Sequence, residues 1–149
     1  MKRIAALLIS GALCAPLYAA NDFKDTEHAI DYRQSAFSLI AYNFGDMGAM
    51  MKGKKPFDAA VFAVRAQNVA ALSKLPLEGF VADSSQGDTG AKPNIWQDRA
   101  DFDAKMKQFQ TDAANLALVA DTGDKKQIQQ AFQATAKNCK SCHDTFKKD

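Results

Sequence analysis

Between Asp124 and the C-terminus, Ile128, Phe132, Thr135 or Ala136, Cys139, His143 and Phe146 recur at steps of three and four. That spacing lines them along one face of an α-helix. On the same face lies the run Cys139-Lys140-Ser141-Cys142-His143, six residues from the end of the chain. A C-x-x-C-H run is the attachment signature of c-type haem: the two thiols form thioethers with the porphyrin vinyl groups and the histidine ligates the iron. At 3.6 residues per turn, positions 139, 142 and 143 fall within about one third of the helix circumference, so one face can hold the ring and its axial ligand. A group of that size on an inward-facing seam belongs to the core, and the rest of the chain has to fold around it. Two other uses of these residues are weaker. A thioredoxin-like dithiol requires a strand-helix context, which is not visible, and a zinc site requires a fourth ligand, for which only His28 and scattered carboxylates are available.

The N-terminus bears on whether such an attachment is feasible. Lys2-Arg3, an apolar run from Ile4 to Leu13 and small residues around Ala19-Ala20 read as a secretory signal peptide over residues 1–20. The apolar stretch is about half of the roughly 20 residues that a membrane span needs, and no later segment is apolar enough to be one. The expected mature chain, residues 21–149, is exported to the periplasm and not membrane-anchored. Cys14 follows Leu13, where a lipoprotein signal wants a small residue, and cleavage after Ala19 or Ala20 removes it. Of three cysteines only Cys139 and Cys142 then remain, and haem is the better use for them in an oxidising compartment. Removing Lys2 and Arg3 from the 19 basic residues leaves 17 against 17 acidic ones, a balance that gives no reason to expect nucleic acid as a partner. About 130 residues suit one domain with one core.

The fold class reads as all-α: an antiparallel up-down four-helix bundle with a long loop between the second and third helices. In the first helix, from Asp25 to Met51, the seam is Ile30, Arg33, Phe37, Ile40, Phe44, Met47 and Met51. The second opens around Pro56, carries Val61, Val64, Asn68, Ala71 and Leu75 on one side, and ends before Pro76. The third carries Phe102, Met106, Phe109, Ala113, Leu116 and Ala120 and stops at Gly123. Asp124 caps the fourth, with Gln127 completing a capping-box pattern. Short turns favour antiparallel neighbours. The exception is Pro76 to Gln97, a long crossover in which Phe80, Ile95 and Trp96 argue against disorder, either by packing on the haem edge or by capping the bundle.

Taken together these features resemble the cytochrome c′ family, the class II c-type cytochromes. The resemblance covers essentially the whole expected mature chain, through Tyr32-Arg33-Gln34-Ser35-Ala36-Phe37, Ala91-Lys92-Pro93-Asn94-Ile95-Trp96 and Cys139-Lys140-Ser141-Cys142-His143-Asp144. The terminal position of the haem motif separates it from class I cytochromes c, which carry theirs near the start. The resemblance implies one covalently attached haem c, with Cys139 and Cys142 as thioether residues and His143 as the axial iron ligand. It also implies Arg33 and Gln34 beside the haem propionates, Phe37 as an apolar cover over the sixth coordination site, Asp88 near the haem, and a homodimer through the first two helices. A charged Arg33 in an apolar seam agrees with a propionate partner, although a residue near the helix start can also reach water. Lys147 stands where many family members have arginine, which keeps the charge and loses the planar fork.

Two functions follow from that resemblance. Phe37 offers the iron no lone pair and a bound gas no hydrogen-bond donor, which implies a five-coordinate, high-spin iron that takes nitric oxide and carbon monoxide. The alternative is a six-coordinate, low-spin electron carrier like the related cytochromes c556, with Met106 or His28 as sixth ligand. Met47, Met50 and Met51 lie roughly 15 Å or more along the helix from Phe37, too far to serve. No base, nucleophile or substrate pocket accompanies the haem motif, so the chain is not expected to be an enzyme.

Overall fold

The computed structural model describes residues 23–148. The signal-peptide reading of residues 1–20, with Cys14, lies outside the described residues. Four long helices account for most of them: α1, Thr26–Met51; α2, Ala59–Leu72; α4, Arg99–Ala120; and α5, Lys125–Phe146, with a one-turn α3, Asn94–Gln97, leading into α4. Among the described residues there is no strand, only an isolated bridge between Ala91 and Lys147. The all-α bundle expected from the periodicity is the fold observed.

Each long helix begins where an acidic side chain can satisfy free backbone N–H groups. Asp25 accepts from His28 N at 2.9 Å, Asp58 from Val61 N at 3.0 Å, and Asp98 from Asp101 N at 3.4 Å. Asp124 accepts from Lys126 N and Gln127 N, and its other oxygen from Gln127 Nε2 at 2.8 Å. The cap on α2 corrects the expectation that Pro56 opens that helix: Asp58 provides a carboxylate acceptor and the helix starts after it. The inward face of α2 also differs from the expected one. Phe62, Ala66 and Val69 are buried, whereas Val61, Val64 and Ala71 are exposed. Apolar residues surround α2 on nearly every side, so period alone does not select a face, and the bulky Phe62 decides it. On α4 the six seam positions from Phe102 to Ala120 are all buried.

Helices pack closely in the order α1 with α2, α2 with α4 and α4 with α5, while α1 and α5 make no comparable backbone approach. At one end this last pair is joined by the rings of Phe44 and Phe132, stacked at 4.4 Å and 7°. Toward the end that holds the start of α1 and the C-terminus of α5, the two helices are separated by a cavity. The crossover contains a 3-10 turn, Pro76–Gly79, and α3. It is tied to the end of α5 by Lys92 N donating to Phe146 O at 2.9 Å and Lys148 N to Gly90 O at 2.8 Å.

Candidate haem site

The cavity has a volume of about 710 Å³ and is walled by α1, the crossover, α4 and α5. Its lining is largely apolar: Phe37, Phe44, Phe80, Phe102, Phe109 and Phe146 contribute six rings, with Ile40, Ile95 and Met106 between them. A volume within the ~300–1,000 Å³ range of small-molecule and cofactor sites, lined by aromatics and few polar groups, suits a large flat apolar ring.

The α5 wall supplies Cys139, Cys142, His143 and Lys147. Helical periodicity turns the first three toward the cavity, as the spacing predicts. Burial pushes the Cys139 thiol up to about 11, and the Cys142 thiol also upward. A redox-active dithiol needs the opposite shift, toward a stable thiolate, so the thioredoxin-like use of the pair loses its chemical basis. His143 stands exposed at the cavity rim, and partial desolvation there, reinforced by the charge of Lys147 and opposed by Asp144, lowers its imidazole pKa. That favours the neutral ring, the form that donates a lone pair to iron. No described residue hydrogen-bonds the imidazole. Among the described residues no His, Cys, Asp and Glu side chains group as a three-ligand metal cage, which leaves the zinc alternative without ligands. Two thiols and a free imidazole at the rim of an aromatic cavity fit a covalently attached haem.

On the α1 wall, Arg33, Gln34 and Phe37 line the same cavity. Arg33 is only 2% exposed. Its Nη1 donates to Gly79 O at 2.8 Å and Ser84 Oγ at 2.6 Å, and its Nη2 to Ser84 O at 2.8 Å and Thr89 Oγ1 at 2.9 Å. The guanidinium also lies over the rings of Phe80 and Trp96, at 4.5 and 5.6 Å from the centroids. Burial pushes its pKa down to about 10, so it stays charged at neutral pH. Among the described residues Nε alone of its nitrogens has no acceptor. Most of the compensation that a buried cation needs therefore comes from the crossover. The Gln34 amide donates to the Asp88 carbonyl at 2.9 Å. Asp88 contributes that carbonyl, while its exposed side chain is not part of the cavity lining.

The two alternative iron ligands are placed differently. His28 is exposed, with Nδ1 3.3 Å from Asp25 Oδ1, and is absent from the cavity wall. Met106 is buried and lines the cavity from α4. Residues unmarked by the sequence pattern also build the site. Ser84 and Thr89 hold Arg33, and Phe80 brings an aromatic ring from the crossover, because the pairs form across 51, 56 and 43 or more positions of chain where no periodicity links them.

Comparison with known proteins agrees with this architecture. The family model described as Cytochrome C' matches residues 28–147. Cytochrome c′ of Rubrivivax gelatinosus is 46% identical over 126 residues, 84% of this chain and 98% of the relative. Among solved structures, cytochrome c prime from Shewanella frigidimarina is 64% identical with a TM-score of 0.85, covering 86% of this chain and 100% of that one. A nitric oxide complex of a mutant of cytochrome c prime from Alcaligenes xylosoxidans is 38% identical with a TM-score of 0.79, covering 86% and 99%. With its cavity, thiols and imidazole in place, the chain belongs to the cytochrome c′ family and is a c-type cytochrome whose cofactor is a covalently bound haem c.

Proposed function

We propose that the protein is an exported, periplasmic cytochrome in which Cys139 and Cys142 carry the haem and His143 is its one protein iron ligand. The sixth position stays open beneath Phe37 and takes nitric oxide and carbon monoxide. When bound, the haem supplies an iron centre that accepts an exogenous ligand and changes oxidation state by one electron. The observation that carries this reading is Phe37 on the α1 wall of the cavity whose α5 wall bears His143. A phenyl ring can exclude water and bulky molecules and cannot itself ligate metal. The nitric oxide complex of the Alcaligenes relative supports the choice of ligand. Arg33 keeps an Nε–H for a propionate, and the Gln34 amide sits one residue further along the same wall. The run from Lys2 to Ala20 supports export. Binding and one-electron transfer, rather than catalytic turnover, are its proposed roles: among the described residues the cavity wall carries no carboxylate, and no histidine besides His143, to act as a general base.

Carbon monoxide association with the ferrous holoprotein tests the distal role of Phe37. Phe37→Ala is expected to speed association by about tenfold or more, since a tenfold change corresponds to only about 1.4 kcal/mol of barrier. An unchanged rate would remove Phe37 from the ligand path.

A second reading rests on Met106, whose thioether lines the cavity and would complete a six-coordinate, low-spin electron carrier. The absorption spectrum of Met106→Leu separates the two.

Exposed Leu39 and Tyr42 on α1, with Val61 and Val64 on α2, support a homodimer through these two helices.

A further inference from the structure

We propose that Phe80, in the crossover, is the positioning residue that holds Phe37 over the cavity and so sets how fast a small ligand passes it. The inference rests on the reading of Phe37 as the distal cover. Phe80 lies outside the helices, yet its backbone is restrained from three sides. Three consecutive carbonyls are each held by a side chain from a different helix: Gly79 O by Arg33 Nη1 of α1 at 2.8 Å, Phe80 O by Arg99 Nη1 of α4 at 2.9 Å, and Val81 O by Trp96 Nε1 of α3 at 2.9 Å. Gly79 is pressed so closely onto α1 that a Cβ there would lie 2.6 Å from Ala29 O and 2.8 Å from Arg33 Cβ. Connecting segments are ordinarily the mobile parts of a fold, and this backbone is over-determined.

The Phe80 ring is fixed as firmly. It is 6% exposed, lines the cavity, has the Arg33 guanidinium 4.5 Å from its centroid, and packs against Phe102 at 4.6 Å and Trp96 at 5.9 Å. The contact left over is with Phe37, edge to face at 6.4 Å and 73°. Among the described residues, Phe37 has no other aromatic partner. Phe37 is half-buried on the wall of an open cavity, so its own helix does little to choose its orientation. An immobile ring meeting it edge-on does choose, because aromatic pairs favour that geometry. Cutting Phe80 back opens space beside Phe37, into which the Phe37 ring relaxes and uncovers the path behind it.

The test is a double-mutant cycle on the holoprotein, read as the carbon monoxide association rate of the ferrous form by flash photolysis. Phe80→Ala is expected to raise the rate by about tenfold, the change that a barrier difference of one such contact produces. In the Phe37→Ala background the same substitution is expected to change it less than about twofold, because the residue through which it acts is gone. Phe80→Leu, which keeps bulk without an aromatic edge, is the variant to use if Phe80→Ala does not fold, and it is expected to fall between the two. A second readout is the fluorine spectrum of the carbon monoxide complex labelled with fluorophenylalanine, where the Phe37 line should shift or broaden in Phe80→Leu. A rate unchanged by either Phe80 substitution while Phe37→Ala is fast overturns the positioning role and leaves the distal cover standing. An equal acceleration with and without Phe37 also overturns it, by making Phe80 an independent barrier. If Phe37→Ala itself leaves the rate unchanged, the distal-cover reading fails and this inference falls with it.

Discussion

Arg33 shows how one buried charge can organise both a cofactor wall and a loop. Its four hydrogen bonds reach Gly79, Ser84 and Thr89, and its planar face lies over Phe80. Lysine would keep the charge and lose the fork. Arg33→Lys is therefore expected to lower the stability of the holoprotein by about 2–4 kcal/mol, through buried acceptors left unpaired, measured as a shift in the urea midpoint. A midpoint within error of wild type would show that the crossover does not depend on the guanidinium. Met106 carries the competing view of the iron. Met106→Leu preserves volume and removes the thioether. The five-coordinate reading expects its ferric and ferrous spectra to match those of the wild type, whereas a methionine-ligated protein would lose its low-spin bands on the same change.

Between elements, the polar clamp that joins α1 to α2 gives a pH prediction. Asp46 accepts from Lys55 Nζ at 2.5 Å and Arg65 Nε at 2.9 Å, and the buried Asn43 accepts from Asn68 Nδ2 at 3.0 Å. These hydrogen bonds hold the Asp46 carboxyl below its usual range, the Lys55 contact contributing most. A folded pKa lower than the unfolded one stabilises the fold above the unfolded value, about 4, and that contribution is lost as pH falls through the folded pKa. Denaturation midpoints measured from pH 6 down to pH 3 should fall less steeply in Asp46→Asn than in the wild type; parallel curves would show that the clamp adds nothing. Gly79 makes the corresponding prediction for the crossover. Because a Cβ there would meet backbone atoms of α1, Gly79→Ala is expected to cost about 1–3 kcal/mol, as overpacking does, and to loosen the segment that Arg33 anchors. Hydrogen exchange of residues 79–89 reads the second effect.

Across the whole molecule, the four long helices, the α4 seam and the cap at Asp124 were legible in the sequence because each is a local signal: a period, an acceptor, a stop at Gly123. The haem motif was legible for the same reason, since its three groups lie within five residues on one face. The face of α2 was not, because apolar residues on all sides leave the period without a preferred direction. Nor were the partners of Arg33 or the pairing of Phe80 with Phe37, which depend on how a crossover folds back onto a helix more than forty residues away. Legibility thus followed sequence separation: the proximal side of the cavity lies within one helix, while the distal side is assembled from two distant segments. The exposed apolar residues of α1 and α2 bear on how copies of the molecule associate. Sedimentation velocity should show a dimer that Tyr42→Glu splits, and a monomeric wild type would contradict that association.

In the proposed holoprotein the iron is held by His143 on one side and is open, beneath Phe37, on the other. Electron paramagnetic resonance and absorption spectra of the resting ferric and ferrous holoprotein, recorded before and after adding nitric oxide, test it most directly. Predominantly high-spin spectra in both oxidation states, converted by nitric oxide to a nitrosyl signal, are the predicted result. Low-spin spectra in both states with a methionine or histidine sixth ligand, unchanged by nitric oxide, would contradict it.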